Sequence, residues 1–130
     1  MELKRVVITG VGALTPIGNN REEYWSSLEK GINGAGPITR FDPEKFRTKF
    51  ACEIKNFDIL DHLNRKEVRK MDPNTQFGMV VGEEAVKDCG INLESLDKDS
   101  VGVIWGSGIG GLKTFQEEAI AYGLGDGTPR

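Results

Sequence analysis

Lys-Arg-Val-Val-Ile-Thr-Gly, residues 4–10, is the segment that predicts the fold most directly. A short β-branched run closed by a glycine is typical of a strand. Its centre, residues 6–8, is continuously apolar, as in a central strand that is covered on both faces. Residues 101–105, Val-Gly-Val-Ile-Trp, are a second apolar run that also precedes a glycine. The sequence therefore predicts two buried strands.

Helical segments lie between and after these strands. Asn20 is a predicted N-cap, Glu23 follows three residues later as in a variant capping box, and Gly31 ends the helix that they begin. Asp72 and Pro73 predict another helix start, because proline lacks only an N–H that the first turn does not use. The predicted elements are helices over 21–30, 64–70, 73–88 and 112–122 and a short strand over 49–57. Strands separated by helices predict an α/β layered domain over residues 1–130 with a largely parallel sheet.

The composition is that of a globular protein, and it argues against several functions. The chain has 130 residues, of which 38% are apolar and 28% charged, and a net charge of −3. This charge argues against general nucleic-acid binding, which needs a basic surface. No apolar run is long enough to span a membrane, and the N-terminus lacks the pattern of a signal peptide. Two cysteines need no disulfide framework, so we expect a cytoplasmic protein.

Two glycine-rich segments follow the predicted strands and are candidates for phosphate binding. Residues 10–16 fail the dinucleotide-binding fingerprint, because Thr15 and Pro16 stand where a small residue and a helix start are needed. Residues 106–111, Gly-Ser-Gly-Ile-Gly-Gly, match G-x-G-x-x-G between a predicted strand and a predicted helix. Ile109, however, would place a bulky side chain where a pyrophosphate needs room. A tight turn that lines an apolar cavity is the favoured interpretation, and nucleotide binding is the alternative.

No catalytic nucleophile or metal site is predicted. Cys89 lies at the predicted C-terminal end of a helix, where the helix dipole disfavours a thiolate. Cys52 is expected on a buried strand face with its neighbours Phe50 and Ile54, and burial disfavours a thiolate as well. The single histidine, His62, lies in a polar segment, so a nucleophile with a base and an orienting group cannot be assembled. The cysteine and histidine spacing does not suit zinc, and we expect no cofactor.

A basic segment, residues 65–70, stands out in an acidic chain. Its sequence, Arg-Lys-Glu-Val-Arg-Lys, places like charges one helical turn apart at 65/69 and 66/70. Such pairs destabilise a helix by roughly 0.2–0.5 kcal/mol each. One interpretation is a solvated helix face. The other, which gives the repulsion a reason, is a docking surface for an acidic partner.

Four segments together resemble the β-ketoacyl-acyl carrier protein synthases, most closely the elongating type II enzymes of bacteria. They are residues 5–18 (Arg-Val-Val-Ile-Thr-Gly-Val-Gly-Ala-Leu-Thr-Pro-Ile-Gly), 38–42 (Ile-Thr-Arg-Phe-Asp), 65–72 (Arg-Lys-Glu-Val-Arg-Lys-Met-Asp) and 102–112 (Gly-Val-Ile-Trp-Gly-Ser-Gly-Ile-Gly-Gly-Leu). One of these segments alone would be a weak signal. Four in the order and spacing of the family, along nearly the whole chain, are specific.

The resemblance implies a fold and a reaction. The fold is thiolase-like, with two similar α/β halves packed as αβαβα layers, usually in a homodimer, and this chain would be an incomplete N-terminal half. In such enzymes a cysteine takes an acyl group from acyl carrier protein, and two histidines assist decarboxylation of malonyl-carrier protein. The resulting carbanion attacks the acyl thioester. The product is a 3-ketoacyl chain two carbons longer, and carbon dioxide is released.

The resemblance also assigns roles to residues of this chain. The nucleophile and both histidines of the family follow the point that matches the end of this sequence, so no residue here inherits a catalytic role. Ile109, with Gly108 beside it, matches the turn residue that gates the acyl pocket. The residues that match basic positions facing the carrier protein are Lys66, Arg69, Lys70 and Arg130.

Two other functions remain open on the sequence. One is a polyketide ketosynthase or its non-catalytic partner, the chain-length factor, which keeps the fold but lacks the cysteine. The other is a short protein that binds acyl carrier protein without catalysis, which the incomplete predicted sheet disfavours. A cysteine and two histidines downstream would distinguish a synthase from the two non-catalytic alternatives.

Overall fold

A computed structural model describes residues 4–125, and the chain divides into two compact units. The first unit runs to Asp58 and also contains Val80–Ile91, and the second contains Ile59–Met79 and the residues from Asn92 onward. In chain order the elements are α1 (Arg21–Glu29), β1 (Gly36–Pro37), β2 (Phe50–Ala51), α2 (Arg65–Val68), α3 (Pro73–Cys89) and α4 (Leu112–Leu124), with 3-10 turns at Ile59–Asp61 and Lys98–Ser100. Over residues 4–125 no helix combines the length and the apolar character that crossing a bilayer requires.

Helix α1 begins as predicted. The Asn20 side chain accepts a hydrogen bond of 2.9 Å from the Glu23 N–H, so Asn20 is the N-cap. The Glu23 carboxylate in turn accepts a hydrogen bond of 2.8 Å from the N–H of Asn19. In a standard capping box the donor would be the N-cap residue itself, one residue later. These two bonds satisfy N–H groups that have no partner within the helix.

Helix α1 also ends as predicted, at a glycine with left-handed backbone. Gly31 has φ +64°, a conformation that is accessible to glycine without strain. Its N–H donates to Leu28 O at 3.0 Å, and the Ile32 N–H donates to Ser27 O at 2.9 Å. This pair of bonds is the Schellman arrangement, which satisfies carbonyls of the last turn.

The predicted parallel sheet is absent from residues 4–125. The one sheet there is two-stranded and antiparallel, with Gly36 opposite Ala51 and Pro37 opposite Phe50. Only two residues of the strand predicted over 49–57 pair, and neither 4–9 nor 101–105 forms a hydrogen-bonded strand. The physical reason is that a strand needs a neighbouring strand to bond its N–H and C=O groups. An apolar pattern predicts that a segment can form a strand, but it does not predict which segment pairs with it.

The unpaired runs leave large apolar side chains uncovered. In the described part of the chain, Ile8 is 85% exposed and Ile104 is 99% exposed, and Val80 is the only buried apolar residue. Cys52, which was expected to face inward, is exposed, because the strand that would have turned it inward is too short to reach it. Contiguous exposed apolar surface usually marks a place that another structural layer or partner covers.

The first glycine-rich segment rests directly on α3. The Glu84 carboxylate accepts from the N–H groups of Ala13 at 2.7 Å and Arg21 at 2.9 Å. Asp88 accepts from the Val11 N–H at 2.9 Å and forms an ion pair with the Arg21 guanidinium. A side chain at Gly12 would overlap the helix backbone. The segment is therefore a turn fastened to a helix by two carboxylates, and the N–H groups of Val11 and Ala13 that a phosphate would need already donate to these acids.

This close approach makes a stability prediction. A Cβ at Gly12 would collide with the carbonyl of Val81 and lie 3.1 Å from the Ala85 N, whereas a Cβ at Gly82, inside α3, meets nothing within 4 Å. Gly12→Ala should lower the free energy of unfolding by about 1–3 kcal/mol through overpacking. Gly82→Ala should raise it by about 0.5–1 kcal/mol through helix propensity. Denaturant unfolding of the two variants checks this, and equal midpoints would show that the turn does not rest on the helix.

Candidate functional site

The basic segment forms the short helix α2 and the turn after it. The Asn64 side chain caps the helix by accepting from the N–H groups of Lys66 and Glu67, both at 3.0 Å. Regular helix ends at Val68, and the Lys70 N–H then bonds to Glu67 O at 2.9 Å in a tighter turn. The helix predicted over 64–70 is therefore shorter than expected. Ending it before residue 70 limits the like-charge repulsion that a longer helix would have contained.

The three predicted carrier-contacting cations in this segment, Lys66, Arg69 and Lys70, are named the basic patch. All three are exposed. Throughout residues 4–125 none of them forms an ion pair, although four other ion pairs are present. Their positive charge is thus available to a partner. The fourth predicted contact, Arg130, lies outside the described residues.

A buried glutamine holds the basic patch against α3. Gln76 is 9% exposed, and its side-chain amide donates to Val68 O at 3.0 Å and to Met71 O at 2.8 Å. These carbonyls lie at the end of α2, where intrahelical donors are lacking. The two bonds from Gln76 therefore hold the backbone on either side of Arg69 and Lys70, while the side chains of these two residues are exposed.

A cleft of about 490 Å³ connects the basic patch with the start of α4. Its lining combines cationic, acidic, apolar and hydroxyl-bearing side chains with one glycine, namely Arg69, Lys70, Met71, Asp72, Gly111, Thr114 and Phe115. Cations beside exposed apolar surface suit a partner that is both acidic and amphipathic.

The second glycine-rich segment, residues 106–111, leads into α4. Ile109 is 74% exposed, and a Cβ at Gly108 would meet nothing within 4 Å. Gly111 has φ +71° and is the N-cap of α4, but it supplies no capping side chain. The structure therefore shows a glycine-rich turn with one exposed apolar side chain near its centre. That Ile109 and Gly108 contact substrate stays a prediction.

A carboxylate occupies the N-terminus of α4 and disfavours the nucleotide alternative. Asp72 Oδ2 accepts from the Thr114 N–H at 3.0 Å and from the Thr114 hydroxyl at 2.9 Å. The Thr114 N–H, followed by that of Asn74, holds the pKa of Asp72 below its ordinary value. A pyrophosphate at this helix start would have to displace a charged acid that already fills the anion position.

The contacts of Asp72, Glu84 and Asp88 were not predicted as long-range links. Asp72 was expected only to cap α3, which it does by accepting from the Asn74 N–H at 3.0 Å. Its bonds to Thr114 join positions 42 residues apart, and those of Glu84 and Asp88 to the segment at 11–13 join positions more than 70 apart. No spacing in the sequence signals such pairs.

The two cysteines lie in separate surroundings. Cys89 closes α3, and its thiol donates to Val86 O at 3.0 Å, while Cys52 is exposed. Over the residues that the structure describes, no group of three histidine, cysteine or carboxylate side chains is arranged to hold a metal ion.

Comparison with known proteins identifies close relatives. The family described as "Beta-ketoacyl synthase, N-terminal domain" matches residues 3–126. A Staphylococcus aureus protein named 3-oxoacyl-[acyl-carrier-protein] synthase 2 is 50% identical over 113 residues, which is 87% of this chain and 27% of that protein. A Synechocystis protein of the same name is 44% identical over 118 residues, 91% of this chain and 28% of that protein. The chain thus spans about a quarter of the length of these relatives.

Two solved structures have a similar fold. One, described as the ishigamide ketosynthase/chain length factor, gives a TM-score of 0.63 at 36% identity over 69% of this chain and 22% of its own. The other is described as a type II PKS acyl-carrier protein in complex with its ketosynthase bound to the hexaketide. Its TM-score is 0.73 at 25% identity, over 93% of this chain and 32% of its own. Both similarities support the predicted α/β class. With a family match along nearly its whole length and relatives at 44–50% identity, the chain belongs to the beta-ketoacyl synthase family and carries sequence of its N-terminal domain.

Proposed function

We propose that this chain serves as the N-terminal part of a 3-oxoacyl-[acyl-carrier-protein] synthase of fatty acid elongation. The observation that carries the proposal is 50% identity, over 87% of the chain, to a protein of that name. The reaction is a decarboxylative condensation. The C–C bond to the malonyl carboxylate breaks, carbon dioxide leaves, and the resulting carbanion forms a C–C bond to the acyl carbonyl as the enzyme thiolate departs.

The groups that perform this chemistry belong to sequence downstream of residue 130 in the proposed synthase. They are the cysteine that carries the acyl group and two histidines that assist decarboxylation, whereas this chain holds two cysteines without a placed base and one histidine. We expect a cytoplasmic homodimer with thiolase-like αβαβα layers and a mainly parallel sheet. The exposed apolar runs at 6–8 and 103–105 support this, because added strands would cover them.

In the proposed synthase the basic patch docks acyl carrier protein, which presents the acyl and malonyl thioester substrates. Three exposed cations that pair with no acid among the described residues, in a chain of net charge −3, support a surface kept for an acidic partner. The structural relative solved as a ketosynthase with its acyl-carrier protein supports the same class of partner. Arg130 is proposed to belong to this surface from the resemblance alone.

Ile109 and Gly108 are proposed to border the pocket that receives the acyl chain. An exposed branched apolar side chain within a glycine-rich turn supports this, because the turn lets the side chain move and water is a poor environment for it. In this proposal Ile109 is a plug that swings aside when an acyl tail enters.

The 130-residue chain by itself should show no condensing activity, because it contains no placed nucleophile. Incubation with acyl- and malonyl-carrier protein, followed by detection of 3-ketoacyl product, checks this alongside the full-length protein as the positive control. Turnover by the purified chain that survives removal of contaminating full-length enzyme would contradict the assignment of the chemistry to downstream residues.

A polyketide ketosynthase or chain-length factor is the second candidate. It is favoured by the 36% identity to the ishigamide ketosynthase/chain length factor. The two candidates differ in downstream residues and in substrate. A downstream cysteine with two histidines and use of saturated acyl primers would support fatty acid elongation, and loss of the cysteine would support a chain-length factor.

A further inference from the structure

Asp72 caps two helices with one carboxylate. Its Oδ1 accepts from the Asn74 N–H at 3.0 Å in the first turn of α3. Its Oδ2 accepts from both the N–H and the hydroxyl of Thr114 in the first turn of α4, at 3.0 and 2.9 Å. The carboxylate thereby ties the start of α4 to the start of α3.

Helix α4 depends on this carboxylate because it has no cap of its own. Its N-cap residue is Gly111, which makes no side-chain bond to the helix. Thr114 is the third residue of α4, and its N–H is the one that an N-cap side chain commonly satisfies. A negative charge at this position is also favoured by the helix dipole. Asp72 therefore supplies, from 42 residues away, the cap that the local sequence omits.

The glycine-rich turn is held against α3 at both of its ends. At one end, a Cβ at Gly78 of α3 would lie 3.0 Å from the Trp105 indole, so the ring sits directly on the helix. At the other end are the Asp72 bonds to Thr114, and Asn74 lies so close to Gly110 that an added Cβ would be 3.0 Å from its Nδ2. Between these ends, a Cβ at Gly106 or Gly108 would meet nothing within 4 Å.

We infer that Asp72 is a positioning residue for Ile109: it fixes the C-terminal end of the turn, so that the plug returns to one position over the acyl pocket. This inference rests on the proposed function of the turn. In this inference Asp72 acts through the turn and not on the substrate.

The test replaces Asp72 by asparagine in the full-length synthase. Asparagine has the same shape, but an amide accepts hydrogen bonds at only one of its two ends, so one of the two helix caps is lost. Thr114→Val removes only the hydroxyl bond, and Thr114→Ser retains both bonds as the conservative control. For each variant, initial rates are measured with a short and a long acyl primer on carrier protein, together with KM for the carrier-bound substrate and a melting curve.

We expect Asp72→Asn to change the ratio of long-primer to short-primer rates by about threefold or more, toward weaker discrimination, as loss of a charged hydrogen bond allows. KM for the carrier-bound substrate should not rise, because the basic patch keeps its charges and the charge that is removed beside it is negative. Thr114→Val should shift the ratio less in the same direction, and Thr114→Ser should keep the parent ratio.

A lower melting temperature with an unchanged rate ratio in Asp72→Asn would overturn the inference, because Asp72 would then only stabilise helices. If Asp72→Asn does not fold, the Thr114 pair decides: a shift in valine but not in serine supports the inference, and equal ratios overturn it. Failure of the proposed function is a separate result, since the parent protein itself would then form no 3-ketoacyl product.

Discussion

Charge reversal of Lys66 and Arg69 to glutamate in the full-length synthase should raise KM for carrier-bound substrates by about ten- to thirtyfold. Each exposed ion pair contributes about 0.2–1 kcal/mol, and reversal replaces an attraction by a repulsion of similar size. Two such changes amount to about 2 kcal/mol, and 1.4 kcal/mol corresponds to a factor of ten. Small acyl thioesters, which carry no docking protein, should react at nearly the parent rate.

The salt dependence and a matched control make this expectation specific. Exposed charges act mainly on association and are screened, so the effect should shrink at high ionic strength. Reversal of Lys45 and Arg47, two exposed cations in the loop between β1 and β2, changes the net charge equally and should leave KM almost unchanged. Equal losses for carrier-bound and small substrates would indicate misfolding and contradict docking at the basic patch.

Enlargement of Ile109 should change the choice of primer. Ile109→Trp in the full-length synthase should lower the rate with long acyl primers about tenfold or more relative to short ones. A larger plug occupies space that a long tail needs, and overfilled sites typically cost 1–3 kcal/mol. The alternative role, a core anchor that pins the turn, predicts instead a loss of stability that slows all primers alike.

Initial rates with short and long primers, measured beside a melting curve for each variant, separate these roles. Ile109→Leu is the matched control, because it conserves volume and should keep both the parent stability and the parent rate ratio. If Ile109→Trp leaves the ratio between primer lengths at the parent value, Ile109 is an anchor and not a gate.

The boundaries of α1 and α3 could be predicted from sequence because their causes are local, whereas α2 ends earlier than predicted and α4 takes its cap from the distant Asp72. Asn20 and Gly31 bound α1 through bonds that reach no further than five residues along the chain. Asp72 and Pro73 begin α3, and Gly90, with φ +64°, follows its end. A capping residue bonds to backbone groups a few positions away, so its identity and position in the sequence are enough to predict the helix end.

The sheet and the long-range links could not be predicted in the same way. Residues 6–8 and 101–105 have the composition of strands, but whether they pair depends on segments distant in sequence or outside it. The burial of Cys52 was wrongly predicted for the same reason. Side chains alternate between a buried and an exposed face only where a strand extends through them, and β2 ends before Cys52. The bond from Asp72 to Thr114 joins two ordinary capping residues whose pairing has no local signature.

The candidate site was predicted in part. The excess of cations at 65–70 in an acidic chain predicted the basic patch, and the structure places its members on the surface, without an ion pair to any residue between 4 and 125. The fingerprint at 106–111 left a nucleotide as the alternative, and the position of the Asp72 carboxylate at the start of α4 adds a second argument against it, beside the bulk of Ile109. The sequence pattern predicts the backbone geometry of such a turn. It does not predict that the carboxylate of Asp72, 42 residues away, lies at the helix start that follows the turn.

The most direct test of the account is intact-mass analysis of carrier protein after a single turnover with the full-length protein, an acyl primer and malonyl-carrier protein. We expect a carrier protein that bears a 3-ketoacyl chain two carbons longer than the primer, with release of carbon dioxide. A malonyl-carrier protein that stays unchanged, or that loses carbon dioxide to give acetyl-carrier protein without joining the primer, would contradict the proposed synthase function.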